Sequence, residues 1–295
     1  MTVDDPLAGS LDSVVRAAAA WPAPHVAAGV VVADRAGRVT VAARHGEHTL
    51  VQPWASLSKP VVALAVLVAV EEGTLDLDEP AGPPGSTIRH LLAHASGLAP
   101  DGSAVLSQPG RRRIYSNAGF EVLAEVLAER SGMPFGEYLR DGVTDPLGLT
   151  ATVLPPGASP AAGMAGSLDD LLVLAAELLA PRLVAPSTMA AATAVAFPGL
   201  GGVVPGVGRF DPCDWGLGME LRDGKVPHWT ASEGSPATFG HFGRSGGFLW
   251  VDPHAGAAAA ALTGRAFGPW ALTAWPPWSD AVLNALRLDC VGSAL

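Results

Sequence analysis

Ser56 and Lys59 stand three residues apart in Trp54-Ala55-Ser56-Leu57-Ser58-Lys59-Pro60, and that spacing puts two side chains on one face of a helix. A serine hydroxyl is a weak nucleophile until a base takes its proton, and a lysine amine becomes such a base once it is withdrawn from water. The pair can therefore do acyl chemistry, provided a helix starts near Leu57. Pro60 suits a first helical turn, where backbone N–H groups have no intrahelical partner. The run that follows, Val61 to Val70, is apolar throughout. A helix apolar on every side is a buried one, so the sequence predicts a serine at the tip of a helix in the middle of the protein. Of the 18 basic residues only Lys59 and Lys225 are lysine. Arginine keeps its charge when buried and lysine can give it up, which singles Lys59 out.

Further along, Tyr115-Ser116-Asn117 offers a phenol and an amide, and His241-Phe242-Gly243 opens a strand-like segment. These three elements in this order, with Thr87-Ile88-Arg89-His90-Leu91-Leu92-Ala93-His94-Ala95-Ser96-Gly97-Leu98, resemble the serine β-lactamase and penicillin-binding-protein superfamily. Within it the resemblance is to class C β-lactamase-related esterases and D-aminopeptidases, over roughly residues 10 to 290. It implies Ser56 as acylated nucleophile and Lys59 as its neighbour in proton transfer. Tyr115 becomes the partner general base or the acid for the leaving group, and Asn117 orients Lys59 or the substrate. His241 stands where lactamases carry the lysine of Lys-Thr-Gly, with Gly243 in the strand that lines the acyl site. Such a histidine offers a weaker, switchable charge for a substrate carboxylate. The implied oxyanion hole is made of the backbone N–H groups of Ser56 and Arg244. No metal and no cofactor is implied.

The elements that must hold these groups are legible in outline. Leu7 to Ala20 has helical character. Val26 to Ala33 and Val39 to Ala43 read as an antiparallel hairpin. Helices are predicted over Thr87 to His94, Ala118 to Arg130, Pro134 to Arg140, and from a cap at Ser167-Leu168-Asp169-Asp170 through Ala180. Short apolar runs broken by glycine, Trp215 to Leu221, Ala237 to Arg244, Gly247 to Asp252 and Gly256 to Leu262, read as antiparallel strands, and Trp278 to Leu288 as a closing helix. The stretches 155–163 and 197–212 read as long surface loops framing a cleft. The expected class is α+β, β-lactamase/transpeptidase-like: an antiparallel sheet of N- and C-terminal strands flanked by helices, plus a mainly helical subdomain. One domain spans 1–295, with an α/β part near 1–75 and 205–295 and a helical part near 76–204.

At 295 residues, 49% hydrophobic and 16% charged, the chain can bury a large core, and a net charge of −10 argues against nucleic acid or an anionic membrane as partner. Arg111-Arg112-Arg113 reads as a solvated loop. The apolar run is too short for a membrane span. Two early aspartates without a basic n-region argue against an export signal, so the expected place is the cytoplasm. Cys213 and Cys290 make no disulfide framework. His90 and His94 have the i, i+4 spacing of metal ligands, without a following glutamate or third ligand, so packing or capping roles are expected. Trp54, Trp215, Trp229, Trp250, Trp270, Trp275 and Trp278 are candidates for an acyl pocket, though most tryptophans belong to cores. The expected activity is a serine hydrolase working through an acyl-enzyme on small esters or amides. The alternatives are acyl transfer by the same acyl-enzyme, β-lactam or D-Ala-D-Ala cleavage, and a non-catalytic binding homologue.

Overall fold

The computed structural model describes residues 10–292, so the early aspartates and the leader reading built on them lie outside the described residues. In chain order the elements are α1 (Leu11–Ala17), β1 (Ala27–Ala33), β2 (Val39–His45), β3 (Gln52–Pro53), α2 (Ser58–Glu71), α3 (Ile88–Leu92), α4 (Asn117–Ser131), α5 (Phe135–Leu139) and α6 (Asp145–Leu147). They continue with β4 (Ala165–Gly166), α7 (Leu168–Leu179), α8 (Pro186–Ala192), β5 (Gly202–Val204), β6 (Gly208–Phe210), β7 (Glu220–Leu221), β8 (Phe239–Phe242), β9 (Phe248–Asp252), β10 (Ala257–Leu262) and α9 (Pro269–Gly292).

The two ends of the chain meet in one six-stranded antiparallel sheet of order β2-β1-β10-β9-β8-β7, with Ala27 opposite Leu262 and Val32 opposite Ala257. Side chains alternate across a strand. Val31, Ala258, Ala260, Leu249 and Val251 enter the core that holds α2, whereas Val30, Ala259, Ala261, Phe248 and Trp250 enter a second core with Trp21, Trp275 and Trp278. Both faces are covered, so β9 and β10 are buried at every position. Alanine is a poor strand former. In β10 a run of alanines is a strand because small side chains let helices close on both faces. A Cβ on Gly29 would come within 2.7 Å of Leu172 on α7, which shows how tight that closure is.

Helix α2 is buried from Ser58 through Leu67 and again at Ala69. Each large apolar side chain so placed contributes roughly 1.5–3 kcal/mol relative to exposure, and the helix is held by packing on every side, with no side-chain cap.

Several elements differ from the sequence reading. The strand over Trp215 to Leu221 shrinks to β7, because the chain doubles back from Trp215 to Glu220 and Gly218, at φ 84°, lies where a Cβ would strike Ala63 of α2 at 2.3 Å. Helix α9 begins at Pro269, ahead of Trp278, and runs through Pro276 and Pro277. The two missing N–H donors cost it ladder bonds, while Trp275 and Trp278 pack on Phe248. Helix α8 was not expected, and the 197–212 stretch carries the β5–β6 hairpin. Arg113 is buried, not solvated. Its guanidinium donates to the carbonyls of Ala93 at 2.5 Å, Ala196 at 2.8 Å, Cys213 at 3.0 Å and Phe197 at 3.2 Å, acceptors of the kind a buried cation needs.

His94 leaves α3 at φ 54°, so it does not share a helical face with His90, which stacks on Phe197 at 4.2 Å. Among the described residues no group of three His, Cys, Asp or Glu side chains could hold a metal ion, and no helix is long and apolar enough to cross a membrane. Cys213 is a buried free thiol; the side chain of Cys290 lies outside the described residues.

Candidate active site

The serine is presented by a short strained turn. Strand β3 delivers the buried Trp54, after which Ala55 adopts φ 48° and opens a 3-10 turn, Ala55–Leu57, that runs into α2. A non-glycine residue in the left-handed region costs on the order of 1–3 kcal/mol and persists only when its surroundings impose it. They do so here through Ser58, whose hydroxyl donates to the Ala55 carbonyl at 2.7 Å and accepts from the Met164 N–H at 3.1 Å. Trp54 N–H donates to the Met164 carbonyl at 2.9 Å. Sequence reasoning passed over both residues: Ser58 reads as filler within Ser-x-x-Lys, and nothing in an alanine announces a positive φ.

Lys59 is fully buried, with Nζ 3.2 Å from Ser56 Oγ, 2.7 Å from Asn117 Oδ1 and 2.9 Å from the Ala161 carbonyl. Burial pushes its pKa down to about 7, against the opposing pull of Glu121 and Asp101. The two oxygens of Asn117 and Ala161 only accept. A neutral Lys59 therefore spends both N–H groups on them and turns its lone pair to the Ser56 hydroxyl.

Tyr115 donates to Ser56 Oγ at 2.8 Å. Burial raises its pKa above the ordinary phenol value, so it stays protonated at neutral pH. Desolvation is the largest cause and outweighs the lowering by the Ser56 hydrogen bond and by Arg244. The ring lies 4.5 Å from that of His94 and 5.8 Å from that of Trp215. His94 Nδ1 accepts from the Ser116 N–H at 3.1 Å, and Ser116 caps α4 through Gly119 N–H at 3.0 Å. The Tyr-x-Asn element is thus fixed by its middle residue, with Tyr115 ahead of the helix and Asn117 as its first residue.

His241, on β8, is 3% exposed, and its Nδ1 lies 2.7 Å from the Phe242 carbonyl. A carbonyl only accepts, so Nδ1 carries the proton. Burial and the neighbouring Lys59 push the pKa down to about 3, so at neutral pH the ring carries no switchable charge for a carboxylate, contrary to the sequence expectation. Gly243 serves packing: a Cβ there would lie 2.2 Å from the Trp54 carbonyl. The absence of that Cβ brings the end of β8 onto the turn before Ser56. Among the described residues neither the Ser56 nor the Arg244 N–H donates to another backbone group, so both remain free for an oxyanion. Both residues line a pocket of about 540 Å³ together with Tyr115, Asn117, His241 and the β5–β6 tip at Val204 and Gly206.

Of the seven tryptophans considered, Trp215 alone lines that pocket. Glu220 also lines it. Its burial opposes ionisation, but His228, Lys225 and the Trp229 indole together bring its pKa down to about 2. Lys225 is thereby accounted for: its Nζ lies 3.4 Å from Glu220 Oε1 and donates to the Asp214 carbonyl at 2.7 Å.

If Lys59 is the base, kcat/KM for an ester rises with pH and levels off above an apparent pKa near 7, because below it the ammonium cannot accept the serine proton. Rates from pH 5 to 9 test this; a rate that shows no limb near 7 and is still climbing at pH 9 would remove Lys59 as the base.

The profile of the Beta-lactamase family matches residues 12–278. A solved structure of a β-lactamase from Mycobacterium bovis is 50% identical, with a TM-score of 0.89 over 92% of this chain and 99% of that one. The hydrolase EstCE1, described as having promiscuous acyltransferase activity, is 22% identical with a TM-score of 0.69 over 95% of this chain and 98% of its own, a likeness of fold alone. Penicillin-binding protein 4* of Bacillus subtilis is 30% identical over 132 residues, 33% of this chain and 29% of that protein. The chain thus spans about a third of the length of the curated relatives it matches.

Proposed function

Since the chain belongs to the Beta-lactamase family, we propose that it is a serine hydrolase that cleaves small esters or amides through an acyl-enzyme on Ser56. The observation that carries this reading is the set of partners around Lys59 Nζ, which leaves a neutral amine no use for its lone pair except the Ser56 hydroxyl. As Ser56 Oγ attacks the carbonyl carbon, its proton passes to Lys59. The oxyanion forms between the N–H groups of Ser56 and Arg244, fixed donors of the kind that often supply the largest part of such catalysis. Tyr115 gives its phenolic proton to the departing alcohol or amine, and the proton held by Lys59 restores the phenol. Water then repeats the attack on the acyl-enzyme and releases the acid. Asn117 holds Lys59, and Gly243 lets Arg244 reach the site.

A second reading, β-lactam hydrolysis, draws on the 50% identical Mycobacterium bovis structure described as a β-lactamase. The neutral His241 weighs against it, because the common β-lactams carry a carboxylate that a lysine at this position would pair with. Nitrocefin assayed beside a panel of p-nitrophenyl esters separates the two. The expected result is a burst of nitrophenol with a mass adduct on Ser56, and nitrocefin turnover at least about tenfold slower than the best ester, the order of one lost charge-assisted hydrogen bond. Faster turnover of nitrocefin would reverse the assignment. An added alcohol or amine that raises nitrophenol release identifies acyl transfer.

A further inference from the structure

We infer that Asp101 is a positioning residue of this site, acting on Ser56 through Asn117 and Lys59, an inference that presupposes the acyl-enzyme reading above. The Asn117 side chain can serve Lys59 in only one of its two amide orientations. With Oδ1 toward Nζ at 2.7 Å it accepts; turned over, it would present a donor to a group that is itself a donor. What selects the working orientation is the other end of the amide, where Nδ2 donates to Asp101 Oδ1 at 3.0 Å. A carboxylate only accepts, so it admits Nδ2 and rejects Oδ1.

Asp101 is held for this task. The Ser116 hydroxyl donates to the Ala99 carbonyl at 2.6 Å, and the Asn117 N–H donates to the Pro100 carbonyl at 2.7 Å. The two residues immediately before Asp101 are thus tied to the start of α4.

The consequence for the chemistry follows from counting donors. A neutral Lys59 has two N–H groups and one lone pair. With Asn117 Oδ1 and the Ala161 carbonyl in place, the lone pair faces Ser56. If the amide turns over, one N–H loses its acceptor and the lone pair is drawn to the amide donor, away from the serine. The carboxylate acts a second time through its charge, which favours the protonated form of Lys59. Asp101 is exposed, and its role is not visible in Ser-x-x-Lys, Tyr-x-Asn or His-x-Gly.

The test uses p-nitrophenyl acetate with the full chain and compares Asp101→Ala, Asp101→Asn, Asn117→Ala and the double variant Asp101→Ala/Asn117→Ala. Asp101→Ala is expected to lower kcat about tenfold, the size of one charge-assisted hydrogen bond, with KM little changed. The double variant is expected to match Asn117→Ala in kcat on the alkaline plateau, since the hydrogen bond from Asp101 has no effect there once the amide is gone, while the loss of its charge still moves the acid limb to lower pH. Asp101→Asn keeps an oxygen acceptor and recovers most of the rate, while loss of the charge moves the acid limb to lower pH. A wild type never acylated on Ser56 overturns both this inference and the reading beneath it. An acylated wild type matched by Asp101→Ala in kcat and acid limb overturns this inference alone, as does a double variant whose losses multiply.

Discussion

Ser56→Ala is expected to take up no acyl group at all: no burst with p-nitrophenyl esters, no phosphonate adduct by intact mass, and a steady rate lower by about four orders of magnitude or more. What remains after loss of a nucleophile is only the contribution of binding and the oxyanion donors. The fold should survive. Ser56 Oγ accepts from Tyr115 at 2.8 Å and lies 3.2 Å from Lys59 Nζ, but the site opens into a pocket where water can take over both contacts. A melting temperature close to wild type therefore accompanies the loss. Activity retained by a folded Ser56→Ala protein would remove the serine from the mechanism.

Lys59→Arg is expected to be nearly as damaging as Lys59→Ala, each lowering acylation by about 10³-fold, within the range of a general base. The substitution keeps a positive charge and adds donors, so if Lys59 acted only as a cation, arginine would serve. A guanidinium cannot release its proton near neutral pH, whereas the lysine it replaces titrates at about 7. The comparison thus separates proton transfer from electrostatic support. Burst rates for the two variants at pH 8, with folding checked by near-UV circular dichroism, decide it. Arginine retaining more than about a tenth of the wild-type rate would refute the assignment of Lys59 as base.

How much of this could be read from the chain differs from residue to residue. The buried helix behind Ser56 was plain, because an all-apolar run has one physical explanation, and the sheet built from both ends followed from β-branched and apolar runs at the two termini. The proximity of Tyr115, Asn117 and His241 to Ser56 came from motif order, not from spacing. What stayed hidden was set by tertiary contact. Ala55 carries no sign of its left-handed backbone, Ser58 no sign of its two clamps, and Arg113 looked like part of a charged loop until four carbonyls closed around it. The close approach of Gly243 to the Trp54 carbonyl, which leaves no room for a Cβ, was also not visible in the sequence. The closing helix predicted from Trp278 begins earlier, at Pro269, and passes through Pro276 and Pro277. The charge state of His241 depended on its burial and on the neighbouring Lys59, which no pattern of residue types encodes.

The hairpin β5–β6 forms a two-stranded sheet of its own, apart from the six-stranded sheet, yet its tip supplies Val204, Pro205 and Gly206 to the pocket that Ser56 lines. Ser56, Lys59 and Tyr115 lie outside that hairpin. A lineage could therefore lengthen, shorten or recolour that tip and trade one acyl group for another while the proton-transfer residues stay unchanged. On the proposed mechanism, substrate range and chemical competence are separately heritable in this molecule.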